Sequence, residues 1–120
     1  MDYSAQKDKT ILITQKTRIS NVRIENINFI KCHGEVSTIC FVDKRNPIVV
    51  SRLLKKFEIE LKQYGFIRST HNILINIYQI HELKNSGCRE IIMKNDEIVK
   101  VSVRKLPKIK HILTIKKQYL

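Results

Sequence analysis

Gly65-Phe66-Ile67-Arg68-Ser69-Thr70-His71-Asn72-Ile73-Leu74-Ile75-Asn76-Ile77-Tyr78-Gln79-Ile80 places two apolar, strand-like runs around a polar, cationic break. The runs read as two strands, or one long bent one, Phe66 to Ser69 and Ile73 to Ile80. Between them Arg68, Thr70, His71 and Asn72 bunch hydrogen-bonding side chains where the apolar alternation fails. That pattern is expected of an exposed knuckle on a β scaffold, and its side chains are of the kinds that reach base edges or phosphates.

Immediately upstream the period becomes helical. Leu53, Leu54, Phe57, Leu61 and Tyr64 recur on one face, with Lys55, Lys56, Glu58, Glu60 and Lys62 largely opposite. Ser51 is the expected N-cap and Gly65 the left-handed residue that closes the element, which places a helix over residues 52–64.

Further out the chain reads as short β-branched strands. Thr10 to Thr14 and Arg18 to Ile24 flank a turn at Gln15-Lys16-Thr17. Asn28 to Cys32 and Ser37 to Val42 flank a hairpin loop, His33-Gly34-Glu35-Val36, in which Gly34 tolerates positive φ. Asp43 to Pro47 leads into Ile48-Val49-Val50, with the proline outside the ladder. Downstream, His81 to Lys84 ends at a turn, Asn85-Ser86-Gly87, and Glu90 to Lys94 pairs with Glu97 to Val101 across Asn95-Asp96. Leu106, Ile109 and Leu113 are spaced for a short terminal helix with Pro107 in its first turn. The expected fold is mostly β: an elongated domain of about eight to ten short strands with one central helix and a short C-terminal helix. A polar leader is expected over residues 1–9, the domain over 10–113, and a loose basic tail over 114–120.

With 120 residues, 42% of them hydrophobic, the chain is long enough for one domain with a real core. Its charge is lopsided, with 23 Lys and Arg against 11 Asp and Glu, a formal +12. From Arg104 to Leu120 lie Arg104, Lys105, Lys108, Lys110, Lys116 and Lys117 and no acid, so that end should face a polyanion. Nucleic acid is the leading partner.

Cys32, Cys40 and Cys88 are an odd number without C-x-x-C spacing, which argues for reduced thiols in the cytosol. No apolar stretch approaches the roughly 18 residues of a membrane span, so a cytoplasmic protein that does not span the membrane is expected. His33, His71, His81 and His111 coexist with the cysteines, but nothing has ligand spacing, and Cys32 and His33 point to opposite faces of a strand. Gly34, Gly65 and Gly87 are too scattered to cradle a phosphate. No metal, cofactor or enzymatic activity is expected.

With those elements in place, the chain from Lys9 to Leu113 resembles the LytTR domain, a DNA-binding module of bacterial transcription regulators. That family carries Phe-x-Arg-x-His-[Arg/Lys]-Ser, then apolar residues and Val-Asn, after a helix; the stretch here is Phe66 to Asn76. Downstream it has a hairpin ending in Ser-x-Arg, here Ser102-Val103-Arg104, and a short helix; upstream, Ile27-Asn28-Phe29-Ile30 sits where the family has an apolar strand. The resemblance implies a stack of small antiparallel sheets that projects loops, not a recognition helix, into successive major grooves. It implies three contacting loops. Arg104 matches the arginine of the last, where a guanidinium can fork onto guanine or clamp a phosphate. In the knuckle His71 falls on the basic position, while Thr70 replaces a histidine and Asn72 a serine. Arg68 holds the motif's arginine, though an alternating strand can equally turn it toward an acidic partner. In the first loop His33 and Ser37 are the candidate contacts, beside a Glu35 that repels phosphate.

A sequence-specific duplex DNA binder that regulates transcription follows, with Arg104, Lys105, Lys108 and other lysines on phosphates and the loops discriminating. The expected partners are promoter DNA with repeated half-sites, a second copy on that DNA, and an inhibitor protein, because the leader cannot house a receiver domain. The competing reading is a basic β module that binds RNA, single strands or an acidic protein partner. Stacking on single strands needs exposed aromatics, and the chain has no Trp, four Phe and four Tyr.

Overall fold

Short β-branched runs separated by turn residues pair most readily with their neighbours in sequence, and the chain folds that way almost throughout. A computed structural model describes residues 5–118, with side chains to residue 115. In chain order the elements are β1 (Thr10–Thr14), β2 (Ile19–Arg23), β3 (Ile27–His33), β4 (Val36–Phe41), β5 (Ile48–Val50), α1 (Leu54–Leu61), β6 (Phe66–Thr70), β7 (Ile73–Asn76), β8 (Ile80–Lys84), β9 (Glu90–Met93), β10 (Ile98–Lys100) and α2 (Leu106–Gln118). They form three antiparallel sheets, β1-β2, β5-β4-β3-β7-β6 and β10-β9-β8, within extents of 44 × 31 × 26 Å. The mostly β, elongated architecture expected from the sequence is the one found.

The five-stranded sheet is buried on both faces. Ile30, Ile39, Phe41, Phe66 and Leu74 point to one core, closed by Leu54, Phe57 and Leu61 of α1 and by Ile11, Ile13 and Val22 of β1 and β2. Phe29, Cys40, Ile67 and Ile75 point to a second core, closed by Ile80, Ile91, Met93, Val99 and Ile109. Two-sided burial explains why Phe29-Ile30 of β3 and Ile73-Leu74-Ile75 of β7 read as consecutive apolar residues rather than as alternation. Each fully buried large side chain contributes on the order of 1.5–3 kcal/mol.

Asn76, fully buried, joins the layers. Its Nδ2 donates to the carbonyl of Ile27 at 2.9 Å, and its Oδ1 accepts the Tyr78 N–H at 3.1 Å and the Gln6 Nε2 at 2.9 Å. The bond to Tyr78 opens a 3-10 turn, Ile77–Gln79, so the long apolar run breaks there and β8 starts a new sheet. Gln6 itself is fully buried and also donates to the Tyr64 carbonyl at 2.7 Å.

Three local expectations are therefore corrected. Within the polar leader, Gln6 is part of the domain, because its amide satisfies buried groups that no apolar side chain could; residues 1–4 lie outside the described residues. The α1 cap is Leu53, with extended backbone and no side-chain cap bond, not Ser51. The C-terminal helix continues through residue 114 to Gln118 rather than fraying into a loose tail, and residues 119–120 lie outside the described residues.

Gly65 closes the α1 region as expected. After α1 a 3-10 turn, Lys62–Tyr64, ends at Gly65 with φ +88°, and a Cβ there would sit 2.6 Å from Cε2 of Tyr78. Both the left-handed backbone and the close approach demand glycine.

Candidate nucleic-acid interface

Antiparallel order brings the tips of two hairpins to the same end of the five-stranded sheet. β3 pairs β7 with Lys31 opposite Ile73, so the β3–β4 turn at Gly34-Glu35 lies beside the β6–β7 turn at His71-Asn72. The Cys32 N–H donates to the Asn72 carbonyl at 2.9 Å, and the Cys32 thiol contacts Asn72 Oδ1 at 3.7 Å.

A third segment joins them from the other edge. The Ser102 N–H donates to the Ser69 carbonyl at 2.8 Å, which fixes the segment after β10 against β6. The Ser102 hydroxyl accepts the Lys105 N–H at 3.2 Å, and its carbonyl accepts from Leu106 at 3.1 Å. Ser102 thus turns the chain into α2, as a hydroxyl at a helix entry does. Anchored two residues earlier at Ser69 and Ser102, His71 and Arg104 emerge together and line one open depression of about 440 Å³ with Lys55, Glu58, Arg68, Ser102 and Lys105.

Within this frame the predicted residues separate by role. Arg104 is exposed, and no carboxylate among the described residues pairs with it, with Lys105 or with Lys108. His71 and Asn72 are exposed at the tip; Thr70 is half-buried and its hydroxyl accepts the Asn72 N–H at 3.1 Å, shaping the turn. Arg68 turns inward. Its guanidinium lies 3.4 Å from Glu58 of α1 and donates through Nη1 to the His71 carbonyl, with a side chain only 16% exposed. It braces the knuckle from beneath.

His33 is exposed at the end of β3, apart from the depression. Ser37 is a correction: it is fully buried, and its hydroxyl donates to the Arg52 carbonyl at 2.6 Å. The turn is only Gly34-Glu35, so β4 begins at Val36 and Ser37 already faces inward. Lys55 and Glu58 were not singled out as site residues from the sequence, because only tertiary packing carries α1 to the knuckle. Their spacing of three on a helix shows that they share a face, without showing what that face meets.

Among the described residues no group of three or more His, Cys, Asp or Glu side chains gathers as metal ligands would, and no helix is long and apolar enough to cross a membrane.

Residues 17–114 match the LytTr DNA-binding domain family. Among solved structures, the chain is similar to the LytTr DNA-binding domain of a protein described as a methyl-accepting/DNA response regulator from Bacillus cereus. That likeness has a TM-score of 0.73 at 16% identity over 88% of this chain and 97% of the other. Comparison with curated proteins returned no match. A chain matched along most of its length to one family, and folded as a member of that family is, belongs to it: this is a LytTr DNA-binding domain.

Proposed function

We propose that this domain is a sequence-specific reader of duplex DNA that regulates transcription, with its inter-strand turns in the major groove. The observation that carries the reading is the convergence of His71 and Arg104 on one depression, which lets a single double helix meet both. Arg104 supplies a planar fork for guanine or phosphate, and His71 and Asn72 supply donors at the neighbouring turn. Thr70 shapes that turn, and Arg68 positions it from below. Lys105 and Lys108 bear on phosphates, and His33 reaches the duplex from the adjacent hairpin. Promoter DNA with repeated half-sites, and a second copy on that DNA, fit a small reading surface that covers few base pairs. An inhibitor protein would act by occupying the same face. A genome-binding role would go with a cytoplasmic location.

The single-strand reading is disfavoured by aromatic burial. Among the described residues Phe29, Phe41, Phe57, Phe66 and Tyr78 are buried and Tyr64 is half-buried, which leaves no stacking platform.

Selection of bound duplexes from a random pool is the decisive experiment. The expected result is an enriched motif whose affinity falls steeply with salt and exceeds that for the corresponding single strands. A pool that stays random, or single strands that compete as well as duplex, removes the proposal.

A further inference from the structure

We infer that the α1 region carries DNA backbone along its outer face through Lys55 of the helix and Lys62 just past its end, extending the interface from the reading turns into the cleft between α1 and α2. This inference rests on the duplex reading above and adds a phosphate track to it.

The track is contiguous. Lys55 lines the depression that holds His71, Arg104 and Lys105, and it also lines a second cleft with Glu58, Ile59, Lys62, Phe66, Ile67 and Lys108. Glu58, Ile59 and Lys62 follow Lys55 at offsets of three, four and seven, a single face of the helix region. From Lys55 to Lys62 that face rises roughly 10 Å, close to the axial rise of three phosphate-to-phosphate steps on one strand.

Charge on this flank is one-sided. The two hollows together present Lys55, Lys62, Arg68, Arg104, Lys105 and Lys108 against one carboxylate, Glu58. That carboxylate is already engaged, 3.4 Å from Arg68 and 3.7 Å from Lys55. An exposed ion pair of the second kind holds Lys55 weakly, so its ammonium is available to a phosphate. Ile59 stands 68% exposed between the two lysines, an apolar surface suited to the carbon face of deoxyribose.

The test is the salt dependence of binding to a fluorescein-labelled duplex of mixed sequence, followed by anisotropy, with melting curves to verify folding. The K55A/K62A variant should bind several-fold more weakly, with a log–log salt slope shallower by about 1.8, at about 0.9 per lost phosphate contact. The equal-charge control K44A/K84A, on other surfaces, should keep the parent slope. An unchanged slope for K55A/K62A beside a steep parent overturns the track and leaves the reading turns standing. The same loss in K44A/K84A overturns it too, since net charge alone would then explain the change. A parent with no salt-dependent duplex binding at all overturns the duplex reading itself.

Discussion

The two turns that leave the same end of the five-stranded sheet are built differently. The β6–β7 turn is braced from three sides: Arg68 reaches the His71 carbonyl from below, Thr70 accepts the Asn72 N–H, and Cys32 donates to the Asn72 carbonyl. The β3–β4 turn is two residues, Gly34 with φ +64° and Glu35, and among the described residues no side-chain bond holds it. One carries His71 among cations and the other carries an acid. A reading head needs its donors held in place before DNA arrives, because ordering them on binding would consume affinity. On the proposed duplex reading, the braced turn and its neighbour at Arg104 would form the reading side, and the hairpin tip an accessory.

The largest effect should come from removing the root of the brace. Gly65→Ala forces a side chain into a left-handed backbone and against Tyr78, and should cost about 2–4 kcal/mol of stability, read from chemical denaturation. A loss near zero would mean that the helix-to-strand corner, and with it the Arg68–Glu58 geometry, is not fixed as described. Next, Arg104→Ala should weaken binding to the selected duplex by about 1–3 kcal/mol, while His33→Ala changes it by less than about 0.5 kcal/mol. Equal losses at the two positions would erase the distinction between the turns. Arg68→Ala should cost about 1–2 kcal/mol of affinity through misplacement of His71, and Arg68→Lys should rescue little because an ammonium lacks the planar fork whose two nitrogens meet Glu58 and the carbonyl separately. The diagnostic is the enriched motif: loss of a brace should blur base preference at the His71 contact, whereas loss of a mere phosphate contact would weaken all sequences alike. Smallest, Glu35→Gln should raise affinity by about twofold at low salt and have no effect at high salt, as expected for an exposed repelling charge.

Much of this was legible in the residues. Strand-forming runs, the helix before Gly65 and the break at His71-Asn72 follow from periodicity and turn chemistry, which are local properties. What stayed hidden depends on partners distant in sequence. Gln6 looks like any polar residue of a leader, and only the unmet groups of Asn76 and Tyr64 give it a buried place. Ser51 has the right chemistry for a cap, but Arg52 is held to Ser37 and the helix starts later. Ile77 to Gln79 continue an apolar run, yet the side chain of Asn76 competes for the Tyr78 N–H and bends the chain. At the site, the cationic residues were visible as a composition; that Arg68 points down to α1 while Arg104 points out is decided by packing. Ser37 went astray because the ladder runs one residue further on each side of the turn than expected, so Ser37 lies within the strand, on the inward side of its alternation, and not at the edge of the loop.

That same parity constrains how such a domain can change. Ile27 and Ile30 of β3 and Leu74 of β7 face one filled core, and Phe29 and Ile75 face the other, so a single inserted codon in the buried part of either strand would exchange the occupants of both cores at once. An insertion between Gly34 and Glu35 meets no such barrier, since even doubling a loop costs only about 0.6 kcal/mol of closure entropy. New reach toward DNA is thus open to lengthening at the hairpin apex and closed to lengthening along the blades that carry it.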